Sequence, residues 1–181
     1  MAAKTSVFYL TERLTVNAGA GTAIDTIDLG AYVDVADRQG ILVHDVDFIF
    51  QGVDANGAVA GVLESVASDS EFAVQVTDLN RGSIVFADDR ALVASGTLNI
   101  DDSNGMSSNA GDLYPDNFGP TSARGGRIVI NDQMYLRGTL QSGSFTSNHG
   151  VAITARIKCS VITLNQKDFM AIALQSTAAD N

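Results

Sequence analysis

The sequence predicts an all-β domain of about eight strands in two packed sheets, and three observations support this class. Residues 151–164 alternate apolar with small or polar side chains over eleven uninterrupted positions, which is typical of a strand with one solvated face. Such a face must lie on a second sheet or close a barrel. Seventeen Gly and only two Pro favour short strands joined by tight turns.

The remaining strands follow from the same two-residue period. They are predicted at residues 6–17, 23–29, 41–50, 72–77, 83–86, 91–100 and 127–141. The first is expected to be interrupted or bent near Glu12, and the last of these to have a bulge or a break at Asn131 and Asp132. A three-residue turn at 80–82 predicts a hairpin between 72–77 and 83–86.

Two short helices complete the prediction. Val59, Val62, Leu63 and Val66 recur at helical spacing, which predicts a two-turn helix. Asn165 with Asp168 three residues later resembles a helix N-cap. In that last segment, the alternation of Met170, Ile172 and Leu174 also permits a strand, so both alternatives stay open.

Size and composition are consistent with one domain over residues 1–181. A 45% hydrophobic content is sufficient for a core in a chain of this length. We expect one long loop excursion at 101–126 and a short flexible tail at 175–181. Eight strands in two face-packed sheets is the number found in a jelly roll, so the predicted fold is a single jelly roll with one or two short helices.

The charge pattern argues against direct nucleic-acid binding. The net charge is −10, and the eleven basic residues are scattered instead of clustered in a stripe. The first residues alternate and include Glu12 and Arg13, so they predict neither a signal peptide nor a membrane span. We therefore expect no secretory routing by this segment.

No residue pattern predicts catalysis. His44 lies on the apolar parity of strand 41–50, where a structural role is expected. Ser144 and His149 lack a nucleophile elbow or other hydrolase signature. Cys159 is the only cysteine, which excludes an internal disulfide, and its apolar parity predicts a buried thiol. We predict a protein that is not an enzyme, with no catalytic, cofactor-binding or metal site.

The acidic pairs and the glycine run have turn chemistry as their expected role. Asp88-Asp89 and Asp101-Asp102 precede turns, and the Gly at 105 is one place early for an EF-hand loop. The glycines at 19 and 21 are not followed by the Lys-Ser/Thr of a phosphate loop. Calcium binding by the acidic turns is the weaker alternative.

The long excursion at 101–126 is the candidate functional segment. Loops of this length inside a compact domain are usually functional or mobile. Aromatic and proline residues distinguish it from a purely solvating loop, so we interpret it as a docking loop to a neighbouring molecule; a disordered surface loop is the alternative. The candidate inter-subunit residues are Leu113, Tyr114, Pro115, Phe118 and Pro120.

Two segments carry a family resemblance. Residues 31–43 (AYVDVADRQGILV) and residues 156–174, with RIK and LNQKDFMAIAL at their two ends, resemble single-jelly-roll major capsid proteins. These belong to icosahedral viruses of archaea and bacteria that contain an internal membrane. The resemblance is one of pattern and size over about a fifth of the chain.

The resemblance implies a structural protein that forms the shell of a virus particle by self-assembly into capsomers. Its implied partners are further copies of itself and other capsid proteins, with contact to an internal viral membrane but no transmembrane segment. It implies a virion protein made and assembled in the host cytoplasm. The alternatives are another virion or phage-tail β-protein (tail tube, decoration protein or spike) and a carbohydrate-binding or enzymatic jelly roll.

Overall fold

A computed structural model describes residues 2–110 and 126–178. Within these residues, the chain forms eleven strands, one short 3₁₀ turn (Leu63–Ser65) and one α-helix. In chain order they are β1 (Ala2–Ala3), β2 (Phe8–Asn17), β3 (Thr22–Asp28), β4 (Gln39–Val53), β5 (Val59–Ala60), β6 (Ser70–Thr77), β7 (Leu92–Asp101), β8 (Met106–Ala110), β9 (Arg127–Val129), β10 (Gln133–Ser142), β11 (Gly150–Thr163) and α1 (Gln166–Ala178).

The strands form two antiparallel sheets with the strand order of a jelly roll. Sheet A contains β2, β11, β4 and β9 side by side, with β1 and β5 as short additions. Sheet B has the order β3, β10, β6, β7, β8. Four strands of sheet A (β2, β11, β4, β9) and four of sheet B (β3, β10, β6, β7) are the eight strands of the jelly roll, and the chain crosses repeatedly between the two sheets, as in two Greek keys. The predicted all-β, single-jelly-roll fold is confirmed.

Strand β11 is the centre of sheet A. It pairs with β2 from Gly150 to Cys159 and with β4 from Gly150 to Thr163. The predicted strand is therefore confirmed, and its inward residues Ile153 and Ile157 are fully buried. Its outer face is solvated only in the middle, since Ala152, Ser160 and Ile162 on that face are also buried.

A β-bulge in β4 changes which residues face the core. Lys158 is opposite Asp45 but the next residue, Cys159, is opposite Val43, so His44 is an extra residue in β4. The inward parity therefore passes from Val43 to Val46. The prediction that His44 faces the core was wrong, because the bulge puts it on the outer side of the sheet.

The core fills the space between the two sheets with apolar side chains. Its largest fully buried members come from strands of both sheets and from the turn after β3. They are Val16, Leu29, Ile41, Val43, Phe72, Val74, Val76, Met134, Leu136, Ile153 and Ile157. Because these side chains occupy the interior, ligands can be expected only on the outer surfaces.

The C-terminal segment is a helix, which settles the alternative left open by its sequence. The Asn165 side chain accepts a hydrogen bond from the Asp168 backbone N–H at 2.8 Å and donates one to the Asp168 carboxylate at 2.8 Å. This reciprocal cap starts α1. Phe169 and Ile172 then pack on a second apolar cluster outside sheet A, which includes Ile162.

Two predicted elements near β5 and β6 were wrong. The helix predicted from Val59 to Val66 is absent: this stretch begins with β5, which pairs with the end of β4, and continues into the 3₁₀ turn. Val59 is exposed and Val66 is buried, so the two do not share one buried face. Residues 83–86 form no strand, and β6 pairs with β7 instead. In both cases the backbone pairs with residues farther away in the sequence than the local pattern predicted.

Other predictions concern the strand ends and loops. The break at Asn131 and Asp132 is confirmed, because the chain leaves sheet A after β9 and enters sheet B at β10. Strand β2 is continuous through Glu12, so the predicted interruption there was wrong. The predicted excursion at 101–126 begins later, since residues 101–110 form the β7–β8 hairpin. Helix α1 continues to Ala178, within the predicted tail.

The two faces of β11 can be tested separately. Replacing Ile157 by Asp places a carboxylate in the core, and we expect a loss of about 5 kcal/mol or more, which approaches the whole stability of a domain. Replacing Thr154 by Asp puts the same group on the outer face opposite Arg13, where a change below about 0.5 kcal/mol is expected. Circular dichroism with urea unfolding measures both; equal losses would contradict the two-sheet arrangement.

Candidate assembly surfaces

The predicted docking residues Leu113, Tyr114, Pro115, Phe118 and Pro120 lie outside the described residues. Their segment begins after β8, at the edge of sheet B. It ends at β9, at the edge of sheet A beside β4. The assignment of these residues to an inter-subunit contact stays a prediction.

A nearly buried ion pair forms at Arg127, the first residue of β9. The Arg127 guanidinium donates to the Asp78 carboxylate at 3.0 Å and also to the backbone carbonyl of Arg90. The Asn131 side chain donates to the Asp78 carbonyl at 2.8 Å. These bonds tie β9, the chain after β6 and the chain before β7 together at one end of the sandwich.

Burial determines the protonation of Asp78. Desolvation raises the pKa of the Asp78 carboxyl, and the neighbouring Arg127 opposes this rise without cancelling it. Both side chains of the pair are nearly buried. The Arg127 charge therefore favours the ionised form of this buried carboxyl, against the effect of burial.

The chain after β6 forms a loop, residues 78–91, which we call the Phe86 loop. Gln75 of β6 faces outward, and its side chain accepts from the Val85 N–H and donates to the Val85 carbonyl, both at 2.8 Å. Arg81 forms an ion pair with Asp89 at 3.3 Å. The loop is thus held against the outer face of sheet B by side-chain bonds, which the local sequence pattern did not predict.

Three further bonds fix the rest of the Phe86 loop. The Arg137 side chain of β10 donates to the Arg81 carbonyl. The Asp89 carboxylate accepts from the Ala91 N–H at 2.8 Å, and the Asp89 N–H donates to the Phe86 carbonyl at 3.0 Å. Phe86 itself is 87% exposed.

The two histidines take separate hydrogen bonds. His44 Nε2 lies 2.9 Å from Ser160 Oγ, and burial followed by the Lys158 charge lowers the His44 pKa. His44 is therefore neutral at neutral pH. His149 Nδ1 instead donates to the Ser147 carbonyl at 2.8 Å. Ser160 lies in the β11 ladder, with its side chain buried.

The structure does not join Ser144 with His149. The Ser144 hydroxyl is 3.0 Å from that of Ser68, and these two loop hydroxyls bond each other. A triad needs the base within hydrogen-bond reach of the nucleophile and a third group that orients it. The described contacts of Ser144 and His149 do not supply that arrangement.

Cys159 and Asp101 have the structural positions predicted for them. Cys159 is fully buried, and burial raises its pKa to about 11, so the thiol stays protonated at neutral pH. Asp101 accepts hydrogen bonds from the Asn104 side chain and backbone at 2.7 and 3.0 Å. These bonds, the side-chain one first, lower the Asp101 pKa. They close the turn between β7 and β8.

The described residues offer few other binding features. Across residues 2–110 and 126–178, no three His, Cys, Asp or Glu side chains come together as a metal-binding group. In the same part of the chain, no helix is long and apolar enough to cross a membrane.

A depression of about 280 Å³ lies on the outer face of sheet B beside the Phe86 loop. Five of its seven lining residues have polar side chains, and Ile84 is the one with an apolar side chain. The lining residues are Thr22, Gly82, Ser83, Ile84, Arg137, Thr139 and Gln141.

Comparison with known proteins finds similarity only at the level of solved structures. No protein-family model matches the chain, and no curated protein matches it. Viral VP1 proteins are among the structures found. VP1 of Trichodysplasia spinulosa-associated polyomavirus in complex with 3'-sialyllactose is 10% identical, with a TM-score of 0.37, covering 91% of this chain and 99% of that one.

Two more of these structures are similar to the same degree. An unassembled VP1 pentamer of Washington University polyomavirus is 9% identical, with a TM-score of 0.37, covering 90% of this chain and 99% of that chain. VP1 of the first virus with sialylated precision glycooligomers is 10% identical, with a TM-score of 0.38 and coverages of 89% and 97%. At such TM-scores the likeness carries no argument about function, so the jelly-roll assignment rests on this chain's own strand order.

The Asp78–Arg127 pair yields a pH-dependent prediction. Replacing Arg127 by Leu leaves a buried carboxylate unpaired, and we expect a loss of about 3–5 kcal/mol at pH 7. Because burial raises the folded-state pKa of Asp78 above its unfolded value, its protonated form stabilises the fold as the pH falls through the raised pKa. The loss should therefore shrink on acidification.

Urea unfolding of the parent and of the Arg127→Leu variant at pH 7 and pH 5 measures how the loss of stability changes with pH. The matched control is Arg90→Leu, because the exposed Arg90 takes part in the cluster through its backbone carbonyl. This control should change stability by less than about 0.5 kcal/mol. An Arg127→Leu loss that is the same at both pH values would contradict the role assigned to Asp78.

Proposed function

We propose that this protein is a capsid subunit, a structural protein that forms the shell of a virus particle by self-assembly into capsomers. The observation that carries the proposal is a complete jelly roll whose interior is filled with apolar side chains. Jelly rolls occur mainly as capsid domains, lectins and cupins. A cupin-type enzyme needs a polar, metal-holding interior, and the interior of this core supports only packing.

The outer surfaces fit a subunit that contacts its neighbours through loops. The Phe86 loop and Arg127, the first residue of β9, are both held by buried or half-buried polar bonds. Such bonds hold surface segments in one conformation before a partner arrives, which lowers the entropy lost on association. A loop that only solvates the domain would not require them.

The finer assignment is part of the same proposal. It places the protein among the small single-jelly-roll major capsid proteins of icosahedral viruses with an internal membrane, on the resemblance of residues 31–43 and 156–174. In that setting the partners are further copies of this chain and other capsid proteins, and the location is the virion. No chemical step is assigned to the protein.

A carbohydrate-binding jelly roll is the second candidate, and one observation favours it. The depression beside the Phe86 loop is lined by Thr22, Thr139, Gln141 and Arg137, whose polar groups suit a hydroxyl-rich ligand. None of the described residues that line it has an aromatic ring on which a sugar could stack. Binding to a glycan array without any self-association would favour this candidate over a shell protein.

Self-association of the purified chain tests the capsid proposal directly. We expect capsomers or larger particles in light scattering and negative-stain micrographs, with the assembled fraction rising with protein concentration. Salt should shift this equilibrium if charged surfaces take part. A chain that stays monomeric over wide ranges of protein and salt concentration would overturn the proposal.

The predicted docking loop has its own test. Replacing residues 112–120 by a Gly/Ser linker of equal length should abolish particles while the unfolding midpoint stays close to that of the parent, because the sandwich is left intact. The control is the double variant His44→Gln and His149→Gln, which removes general-base chemistry but keeps hydrogen-bonding side chains. This control should assemble normally. Normal particles from the loop-replaced chain would refute the docking role.

A further inference from the structure

Phe86 exposes nearly all of its side chain to solvent. It is the most exposed large apolar side chain among the described residues, at 87%. Both backbone groups of its neighbour Val85 are hydrogen-bonded to the Gln75 side chain of β6, and the Phe86 carbonyl accepts a hydrogen bond from the Asp89 N–H. The ring is therefore presented on a backbone whose conformation is already set.

A fixed aromatic on a rigid loop has the properties of an interface anchor. Aromatic side chains that enter a partner's surface without reordering their own backbone contribute most to association. Asp88, two residues later, is also exposed. The tip of the Phe86 loop thus combines an aromatic ring with a negative charge, on the outer face of sheet B.

The opposite side of the sandwich carries a surface of complementary character. On the outer face of sheet A, Tyr9 and Arg13 of β2 lie beside Arg156 and Lys158 of β11. We call these four residues the β2–β11 patch. Tyr9 is 53% exposed, and the Arg156 guanidinium lies 5.4 Å from the centre of its ring. The patch therefore offers cations and an aromatic face together.

Among the described residues, Arg13, Arg156 and Lys158 form no salt bridge. Asp45 and Asp47 of β4 are opposite Lys158 and Arg156 in the strand register and form the acidic border of the patch. Arg156 reaches toward Tyr9 instead, on the β2 side. Three basic groups thus gather on one face of a chain whose net charge is −10.

We propose that the Phe86 loop of one copy docks on the β2–β11 patch of a second copy, with Phe86 against Tyr9 and Asp88 near the basic side chains. This inference deepens the proposed self-assembly and rests on it. The loop lies outside sheet B and the patch outside sheet A, so one chain cannot join its own two surfaces. The contact is head-to-tail, which generates rings when the rotation closes.

A mixing experiment with two variants tests this geometry. Phe86→Ser removes the anchor and leaves the patch intact, whereas Arg156→Glu reverses a patch charge and leaves the loop intact. Each variant alone should need about 30-fold more protein to assemble than the parent, as expected for loss of a hot-spot contact. Mixed in equal amounts, they should form heterodimers, because only one productive loop–patch contact remains per pair.

Controls separate this contact from general effects of charge and hydrophobicity. Val59→Ser removes another exposed apolar side chain, on β5, and Lys167→Glu reverses another exposed charge, on α1. These should assemble like the parent. Thermal unfolding should give the same midpoint for all four variants, since the replaced side chains are exposed.

Every outcome of the mixing experiment bears on the contact. If Arg156→Glu still dimerises through its loops, or Phe86→Ser through its patch, the contact is twofold and the head-to-tail inference is wrong. Folded variants that stay monomeric after mixing, or that assemble as well as the parent, overturn it while self-assembly of the parent stands. A parent that never associates instead removes the proposed function itself.

Discussion

The antiparallel pairing of β11 with β4 and β2 is the interaction on which the rest of the structure depends. Its register with β4 runs from Gly150 to Thr163. This pairing satisfies the backbone of a strand whose inward side chains, such as Ile153 and Ile157, are fully buried. Because that apolar face must be covered, sheet B is required opposite it, and each crossing of the chain between sheets places a loop at an end of the sandwich.

One extra residue in this pairing shapes the outer surface. The bulge at His44 turns Leu42 outward in β4, next to Ile162 of β11. These side chains make the outer face of sheet A apolar at that end, and α1 covers them with Phe169 and Ile172. The helix is therefore part of the folded domain, and the solvated stretch of sheet A is confined to its middle, where the β2–β11 patch lies.

Polar side chains fix the surface segments that the core cannot reach. Gln75 supplies a donor and an acceptor to Val85, and Asp78 with Arg127 joins three stretches of chain. Buried pairs of this kind add little net stability, but removing one partner is costly. Their effect is to hold the loops in single conformations, which suits a protein whose interior is filled and whose contacts must be made outside.

Local patterns alone determined several parts of this protein. The alternation of β11, the cap at Asn165, the break at Asn131 and the burial of Cys159 all follow from neighbours in sequence, because period and capping are properties of a few consecutive residues. The predicted number of eight strands indicated a jelly roll, but it included residues 83–86, which form a loop, and it counted β9 and β10 as one strand. The residues proposed for the docking loop were chosen by composition and stay a prediction.

Tertiary structure decided the features that depend on distant partners. The bulge moved His44 to the outer face, since a one-residue shift in register exchanges the two faces of a strand. Residues 83–86 became a loop because the Gln75 side chain took the backbone groups of Val85, and β7 took the place beside β6. The exposure of Phe86 follows from that exchange. A pairing between residues far apart in sequence is chosen by the packing of the whole domain, and no local period encodes it.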